Sequence, residues 1–559
     1  MTCEFFLDGE RVSADAGASL LQVVLQHGVP VPHLCYHPGL SVPASCRICV
    51  VGIGEEGERR LQTACNLPVE EGLVVDTRSA DVLAVRQETL EFALLHHAVD
   101  CPSCSKAGEC EVQNGVRDWG RERGRFTEQR EQRPKRSLGT GLDLYPDRCV
   151  GCSRCIRFSE EISLSGELCR TGRGDNVEVD IAPGRQVDNP LAGNLADLCP
   201  AGALIDTSRV SGPPAWLLQG VDSICVRCSA GCPIRVDVYR GKVERVVARG
   251  LPSQGQYWIC DEGRYGWRTG RVRVSQSRLQ PSAGSWVDVS WERALEEATR
   301  RLKYLYTRPG EVVAFLNTAE SNENNYLLAR LSRELWQADR VGLLAHQTAE
   351  SDQHFGGGFT VRADKAPNAL GATEMIAGHS LDVAEHESLW EEMERGHIRA
   401  VYVLDGPDGT VLSERAKMAL SRVELLVVQG AVDSELAQMA DVFFAGAVEF
   451  EKEGTYTNVD GRVQRLRRAI DVPINSAADW SLLVHLGTEL GMAWEYAGIE
   501  DITAEIGERL QGRYAGFDYW DGNAEDRGRS AQAYGGGWAT WLQRQGLLSV
   551  EDHTKLVRR

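Results

Sequence analysis

Apolar and polar positions follow two different rhythms along this chain. Over residues 1–78 short apolar runs, Phe5-Phe6-Leu7 and Leu73-Val74-Val75, sit between Gly and Pro turns, with one helix-like stretch at 19–27. That mixture predicts a small α+β unit. At 81–97 the period changes. Val82, Val85, Leu90, Ala93 and Leu94 recur at spacings near 3.6, which predicts a helix with one apolar face running through His97. A charged, aromatic-poor stretch at 117–136 reads as a solvated connection. Ser211-Gly212-Pro213-Pro214 marks a boundary, and 234–247, turning at Arg240-Gly241-Lys242, reads as a small antiparallel sheet. Further on, strand candidates at 312–316, 400–404 and 425–428 alternate with helix candidates at 324–336, 388–395 and 413–420. This is the rhythm of a parallel α/β sheet, so the fold class is multidomain, α+β followed by α/β.

Composition narrows the picture. The chain has 559 residues and 42% hydrophobic content, enough for several buried cores. Acidic residues outnumber basic ones by 80 to 61, and a net charge of -19 disfavours nucleic acid or an anionic membrane surface as the main partner. No stretch approaches the roughly 18–20 continuous apolar residues of a membrane helix, and the first residues lack a basic then apolar leader, so the chain reads as cytosolic. All 17 cysteines lie between Cys3 and Cys260. Clustered cysteines in a long chain of this kind point to metal rather than to a disulfide framework.

The cysteines fall into four groups. The first, Cys35-x10-Cys46-x2-Cys49-x15-Cys65, suits a [2Fe-2S] cluster, with a first loop longer than in plant-type ferredoxins. The second, His97-x3-Cys101-x2-Cys104-x5-Cys110, offers an imidazole and three thiolates to a [4Fe-4S] cluster. A helix through His97 would bring its ring over the face of Cys101 at i, i+4, and His96 is the competing imidazole. The third, Cys149-x2-Cys152-x2-Cys155 with a remote Cys199-Pro200, is the pattern of a ferredoxin [4Fe-4S] site, here for a single cluster because no second triad occurs. The fourth, Cys225-x2-Cys228-x3-Cys232-x27-Cys260, again suits a [4Fe-4S] cube. Zinc is the alternative metal for the first and fourth groups. Cys3 and Cys169 fall outside all four and read as ordinary small residues. Gly356-Gly357-Gly358 and Gly535-Gly536-Gly537 lack the flanking strand and helix of a nucleotide loop and read as turns or loops.

This order of sites resembles the large iron–sulfur subunit of bacterial respiratory complex I. Cys46-Arg47-Ile48-Cys49, Cys101-Pro102-Ser103-Cys104, Cys152-Ser153-Arg154-Cys155-Ile156-Arg157-Phe158, Cys199-Pro200-Ala201-Gly202-Ala203-Leu204 and the segment from Glu453 to Arg462 carry the resemblance. It implies a [2Fe-2S] ferredoxin-like domain at 1–78, a one-His three-Cys domain at 79–119, a [4Fe-4S] ferredoxin-like domain at 138–210 and a four-cysteine domain at 218–274. A shortened molybdopterin-oxidoreductase-like α/β domain without an active site follows at 275–559.

The implied activity is electron relay in NADH:quinone oxidoreductase, with no substrate site on the chain itself. The implied partners are a flavin and NADH-binding subunit, a small [2Fe-2S] subunit, and ferredoxin-like and other peripheral-arm subunits on the quinone side. The implied location is peripheral, on the cytoplasmic side of the cell membrane, with the fourth cluster off the main wire. Relatives with molybdenum chemistry commonly carry Lys two residues after the fourth cluster ligand, where this chain has Glu262, and many ligate the metal through Cys, of which none follows Cys260. No molybdopterin is therefore expected. The alternative is the iron–sulfur subunit of an NAD-linked hydrogenase or formate dehydrogenase, whose catalytic modules would add Cys or selenocysteine.

Overall fold

The computed structural model describes residues 2–517, apart from 127–129, 131–132, 140, 269–271, 283–284 and 346–350. Gly535-Gly536-Gly537 and the end of the 275–559 unit lie outside the described residues.

The strand Thr2–Leu7 alternates exposed and buried, so Cys3, Phe5 and Leu7 face a core shared with the helix Leu20–Gln26. It pairs antiparallel with Glu10–Asp15 and parallel with Val74–Asp76, and Val50–Ile53 and Arg60–Thr63 complete the sheet. Cys3 is thus an ordinary core residue.

The helix expected over 81–97 is shorter: it spans Ala80–Ala93, and the i, i+4 relation between His97 and Cys101 does not exist. Tertiary contacts override the periodicity. The Ala98 N–H donates to the Asp147 carbonyl at 2.7 Å, drawing the chain towards the next unit. The connection at 117–136 also begins later than its charge suggested, because the helix Glu111–Trp119 occupies its first residues.

Strands Arg136–Gly139, Leu142–Leu144 and Leu204–Asp206 form a small sheet beneath the helices Arg154–Glu161 and Asn194–Leu198. Next comes a meander of Gln219–Ile224, Pro233–Tyr239 and Lys242–Ala248. Arg240 and Gly241 make its tight turn, both left-handed, with φ of 50° and 73°.

The rest is a sheet ordered Ser285–Val289, Ser277–Ser282, Val442–Ala445, Leu425–Gly430, Ala400–Leu404, Val312–Asn317, Arg340–Leu344 and Asp382–Val383, parallel except for the first pair and its junction. Both faces are covered, which explains the unbroken apolar runs read as strands. Ala314, Tyr402 and Val427 point to one core with the helices Trp291–Leu305, Asn322–Arg330 and Asp479–Leu490. Phe315, Val403 and Val428 point to the other, under His386–Glu394 and Glu414–Leu420. Gly356–Gly358 is a turn between the short strands Gln353–His354 and Thr360–Val361. Among the described residues no helix is long and apolar enough to cross a membrane.

Candidate functional site

Every cysteine of the chain is a free thiol. In the first group Cys35, Cys49 and Cys65 are buried and Cys46 half-buried. Cys46 and Cys49 sit on a loop turned by left-handed Ala44 and Arg47 just before the strand Val50–Ile53, and Cys65 lies in the turn Ala64–Asn66 after Arg60–Thr63. The sheet therefore brings the four together: Cys35 meets both Cys46 and Cys65, and Cys49 meets Cys65. Hydrogen bonds from Cys46 and Cys65 hold Cys35 below the ordinary thiol value, while the bond to Cys35 and burial push Cys46 up.

In the second group Cys104 lies within electrostatic reach of both Cys101 and Cys110. Cys110 caps the helix Glu111–Trp119, its Sγ accepting from the Gln113 N–H at 3.4 Å. His97 is buried and His96 exposed, which favours the former as the fourth ligand. The His97 ring bonds to the backbone of Arg148, and its Nδ1 is buried without a hydrogen-bond partner. A buried imidazole nitrogen without a protein partner is free to take a metal. The dominant influences on the ring are burial, Arg148 and Asp100. The last two form an ion pair at 2.5 Å that also faces Cys104.

In the third group Cys149, Cys152, Cys155 and Cys199 all line one cavity, with Pro200 and Ala203 beside them. The loop from Cys149 to Cys155 turns through left-handed Gly151 and Ser153 before the helix Arg154–Glu161, and Cys199 closes the helix Asn194–Leu198. Burial pushes Cys149 up to about 11 and Cys152 to about 12, so these thiols stay protonated until a cation compensates the charge.

In the fourth group the Cys225 N–H donates to the Cys232 carbonyl at 2.8 Å, and Cys260 Sγ caps the helix Asp261–Tyr265 by accepting from Gly263 at 3.4 Å. Only glycine fits at 263, where a Cβ would stand 2.9 Å from Cys225 Sγ and 3.8 Å from Cys260 Sγ. Glu262 pairs with Lys365 at 2.5 Å, and the ammonium faces Cys228 and Cys260. A lysine from the α/β domain thus stands near this group although the position after Cys260 is acidic.

The second group abuts the third. Gly202 lies against Cys104, a Cβ there falling 2.2 Å from its sulfur, and Cys110 Sγ is 3.5 Å from the Pro200 carbonyl. The segment following Cys199 therefore separates the second and third groups. Among the described residues no three His, Cys, Asp or Glu side chains converge on a point that could hold a single metal ion. Cluster ligands bind separate irons, so they surround a volume rather than meet at a point. Cys169, half-buried on the strand Leu168–Thr171, takes no part. Sequence reading missed Arg148, Asp100, Arg157 and Lys365. Arg157 had a visible signal, a cation two residues from Cys155, whereas Asp100 and Lys365 are recognisable only by where they fold.

Comparisons with known proteins follow the same order. Residues 1–80 match a 2Fe-2S iron–sulfur cluster binding domain, 86–125 the NADH-ubiquinone oxidoreductase-G iron–sulfur binding region, and 139–205 the ferredoxin-like domain of NADH-quinone oxidoreductase subunit 3. Residues 218–270 match the molybdopterin oxidoreductase Fe4S4 domain and 365–489 molybdopterin oxidoreductase. The chain is 26% identical to the mitochondrial NADH-ubiquinone oxidoreductase 78 kDa subunit of Neurospora crassa, over 91% of this chain and 82% of that protein. It is 24% identical to the NADH-ubiquinone oxidoreductase 75 kDa subunit of Reclinomonas americana, over 89% of this chain and 89% of that protein. A chain in the structure of an NAD+-reducing [NiFe]-hydrogenase is 32% identical over 38% of this chain and 90% of its own length, with a TM-score of 0.35. The ordered domains and the relatives aligned along most of the length make this chain similar to the large iron–sulfur subunits of NADH–quinone oxidoreductase, complex I, and support that reading of it.

Proposed function

We propose that this chain is the electron-transfer subunit of the peripheral arm of NADH:quinone oxidoreductase, relaying electrons from the NADH-oxidising flavin subunit towards quinone. The observation that carries the reading is the single cavity lined by Cys149, Cys152, Cys155 and Cys199, with Cys104 and Cys110 backed onto the segment that follows Cys199. Bound iron–sulfur clusters would supply one-electron transfer. Cys35, Cys46, Cys49 and Cys65 would hold a [2Fe-2S] cluster. Three [4Fe-4S] clusters would be held by His97, Cys101, Cys104 and Cys110, by Cys149, Cys152, Cys155 and Cys199, and by Cys225, Cys228, Cys232 and Cys260.

The protein's own work is to hold these thiols apart from water and in sequence. The spatial order differs from the chain order. The helix that follows the third group's triad reaches the Cys35 loop through Arg157, and the other side of that group touches the second through Pro200 and Gly202. The third group therefore stands between the first and the second, as consecutive stations of a wire require. The fourth group is read as lying off this wire, with Lys365, paired to Glu262, facing Cys228 and Cys260.

The α/β domain carries no molybdopterin in this reading. At the ends of its strands the protein's own polar side chains pack on each other, Asn322 bonding Thr455 and Thr457 at 3.1 Å and Lys452 bonding Glu320 at 2.6 Å. The partners are the flavin and NADH-binding subunit, the small [2Fe-2S] subunit and the quinone-side ferredoxin-like and peripheral-arm subunits. The protein sits peripherally on the cytoplasmic side of the membrane. Anaerobically purified protein should contain ~14 irons per chain, from one two-iron and three four-iron clusters, matching sulfide, and no molybdenum. Stoichiometric molybdenum, or formate oxidation by the isolated chain, would overturn the account of the α/β domain. An iron content near ten would remove one of the four-iron sites.

A further inference from the structure

The helix Arg154–Glu161 carries Cys155 on its first turn and reaches out of its own unit two residues later. Arg157 is buried at 7% exposure, and its two terminal nitrogens donate to the carbonyls of Cys35 and Ser41, both on the loop that presents the first group. One turn on, the Glu161 carboxylate accepts from the Ser41 N–H at 2.8 Å and from its hydroxyl at 2.5 Å. A single helix thus belongs to one ligand set and grips the loop of another through an adjacent cation and anion. The guanidinium Nε is buried without a hydrogen-bond partner, so this cation lacks part of the compensation that water would give it. It lies within electrostatic reach of Cys35 on one side and Cys152 on the other, and Glu161, Arg154 and His37 also face it.

We propose that Arg157 is a shared positive charge for the first and third clusters, setting both reduction potentials while it holds the Cys35 loop against the ferredoxin helix. The inference rests on the reading that both groups carry clusters. Each reduction adds negative charge to a site already bearing four thiolates, and a desolvated cation between two such sites favours the reduced form of each. A hydrogen bond to the Cys35 backbone alone would act on the first cluster and leave the third unmoved. Arg157 is therefore a positioning and tuning residue rather than a ligand.

The test is a redox titration followed by EPR on the purified complex, with iron content measured alongside. Arg157→Met should shift both midpoint potentials to more negative values at unchanged iron content, and Arg157→Lys, which keeps the charge, should bring both back towards the wild type. Glu161→Gln keeps an acceptor for Ser41 and removes the counter-charge, and should shift both potentials to more positive values. A shift in only one cluster overturns the shared role. Should Arg157→Met lose the first cluster, Glu161→Gln decides alone, and unmoved potentials there overturn the proposal. Wild-type complex lacking either signal would overturn the cluster assignment itself, and the role of Arg157 with it.

Discussion

An imidazole nitrogen buried with nothing to bond costs about 1–3 kcal/mol, and a fold retains such an atom where something else satisfies it. His97 Nδ1 is such an atom, four residues before Cys101 and next in the chain to an exposed His96. His97→Ala should therefore remove the second cluster alone, about four of ~14 irons, with its EPR signal, while His96→Ala leaves both intact. His97→Cys should keep the iron and lower that cluster's potential, because thiolate replaces a neutral ligand. Full iron in His97→Ala would end the assignment. The cysteines of this site were legible because the spacing of ligands along the chain reflects the loops that wrap a cluster. The sequence argument that singled out His97 does not hold, since the helix that was to orient the ring ends at Ala93, and burial now favours the same residue. Its support, Arg148 with Asp100, pairs residues 48 positions apart, and no local pattern encodes that.

At the scale of elements, the strands of the α/β sheet were legible as apolar runs because both faces are covered, but what gathers at their ends was not. Glu320 follows the strand Val312–Asn317, Lys452 precedes Gly454–Thr457, and Asp479 opens the helix Asp479–Leu490. All three are buried, with Lys452 Nζ 2.6 Å from Glu320 and 3.3 Å from Asp479. Two carboxylates share one ammonium, so burial, opposed by Lys452 and helped by Asp479, pushes the Glu320 carboxyl up from 4.5 to about 7. The folded state then binds a proton that the unfolded chain releases between these values. Stability from this group is full below pH 4.5 and falls as pH rises to about 7. Glu320→Gln leaves Lys452 paired with Asp479 and should flatten the decline of unfolding free energy between pH 4.5 and 7, by roughly 1–3 kcal/mol across the range. Parallel slopes for variant and wild type would show that the triad does not titrate.

At the scale of the whole molecule, buried arginines pin one unit to the next. Arg154 reaches Glu111 at 2.7 Å, Arg264 reaches Asp197 at 2.7 Å, and Arg245 reaches Glu109 at 2.5 Å while its Nε holds Asp237 at 2.6 Å. Glu109 directly precedes Cys110, so the last pair ties the second ligand group to the meander of the fourth. Burial would raise the Glu109 carboxyl, but Lys106 and Arg245 hold it well below the usual range. Its contribution is therefore fully present above pH 4.5 and lost only as pH falls towards its folded value, so pH 7 reads it whole. Removing one partner of a buried pair costs about 3–5 kcal/mol, because the other charge is left uncompensated. Arg245→Met should accordingly turn a joined thermal unfolding into two steps, the earlier one accompanied by loss of the second cluster's irons. Glu109→Gln added to Arg245→Met should recover part of the loss, since it removes the stranded charge. Calorimetry with iron release on the same samples decides it. A single transition at the wild-type temperature would mean that the units are joined by their apolar contacts, with the arginine pins contributing little.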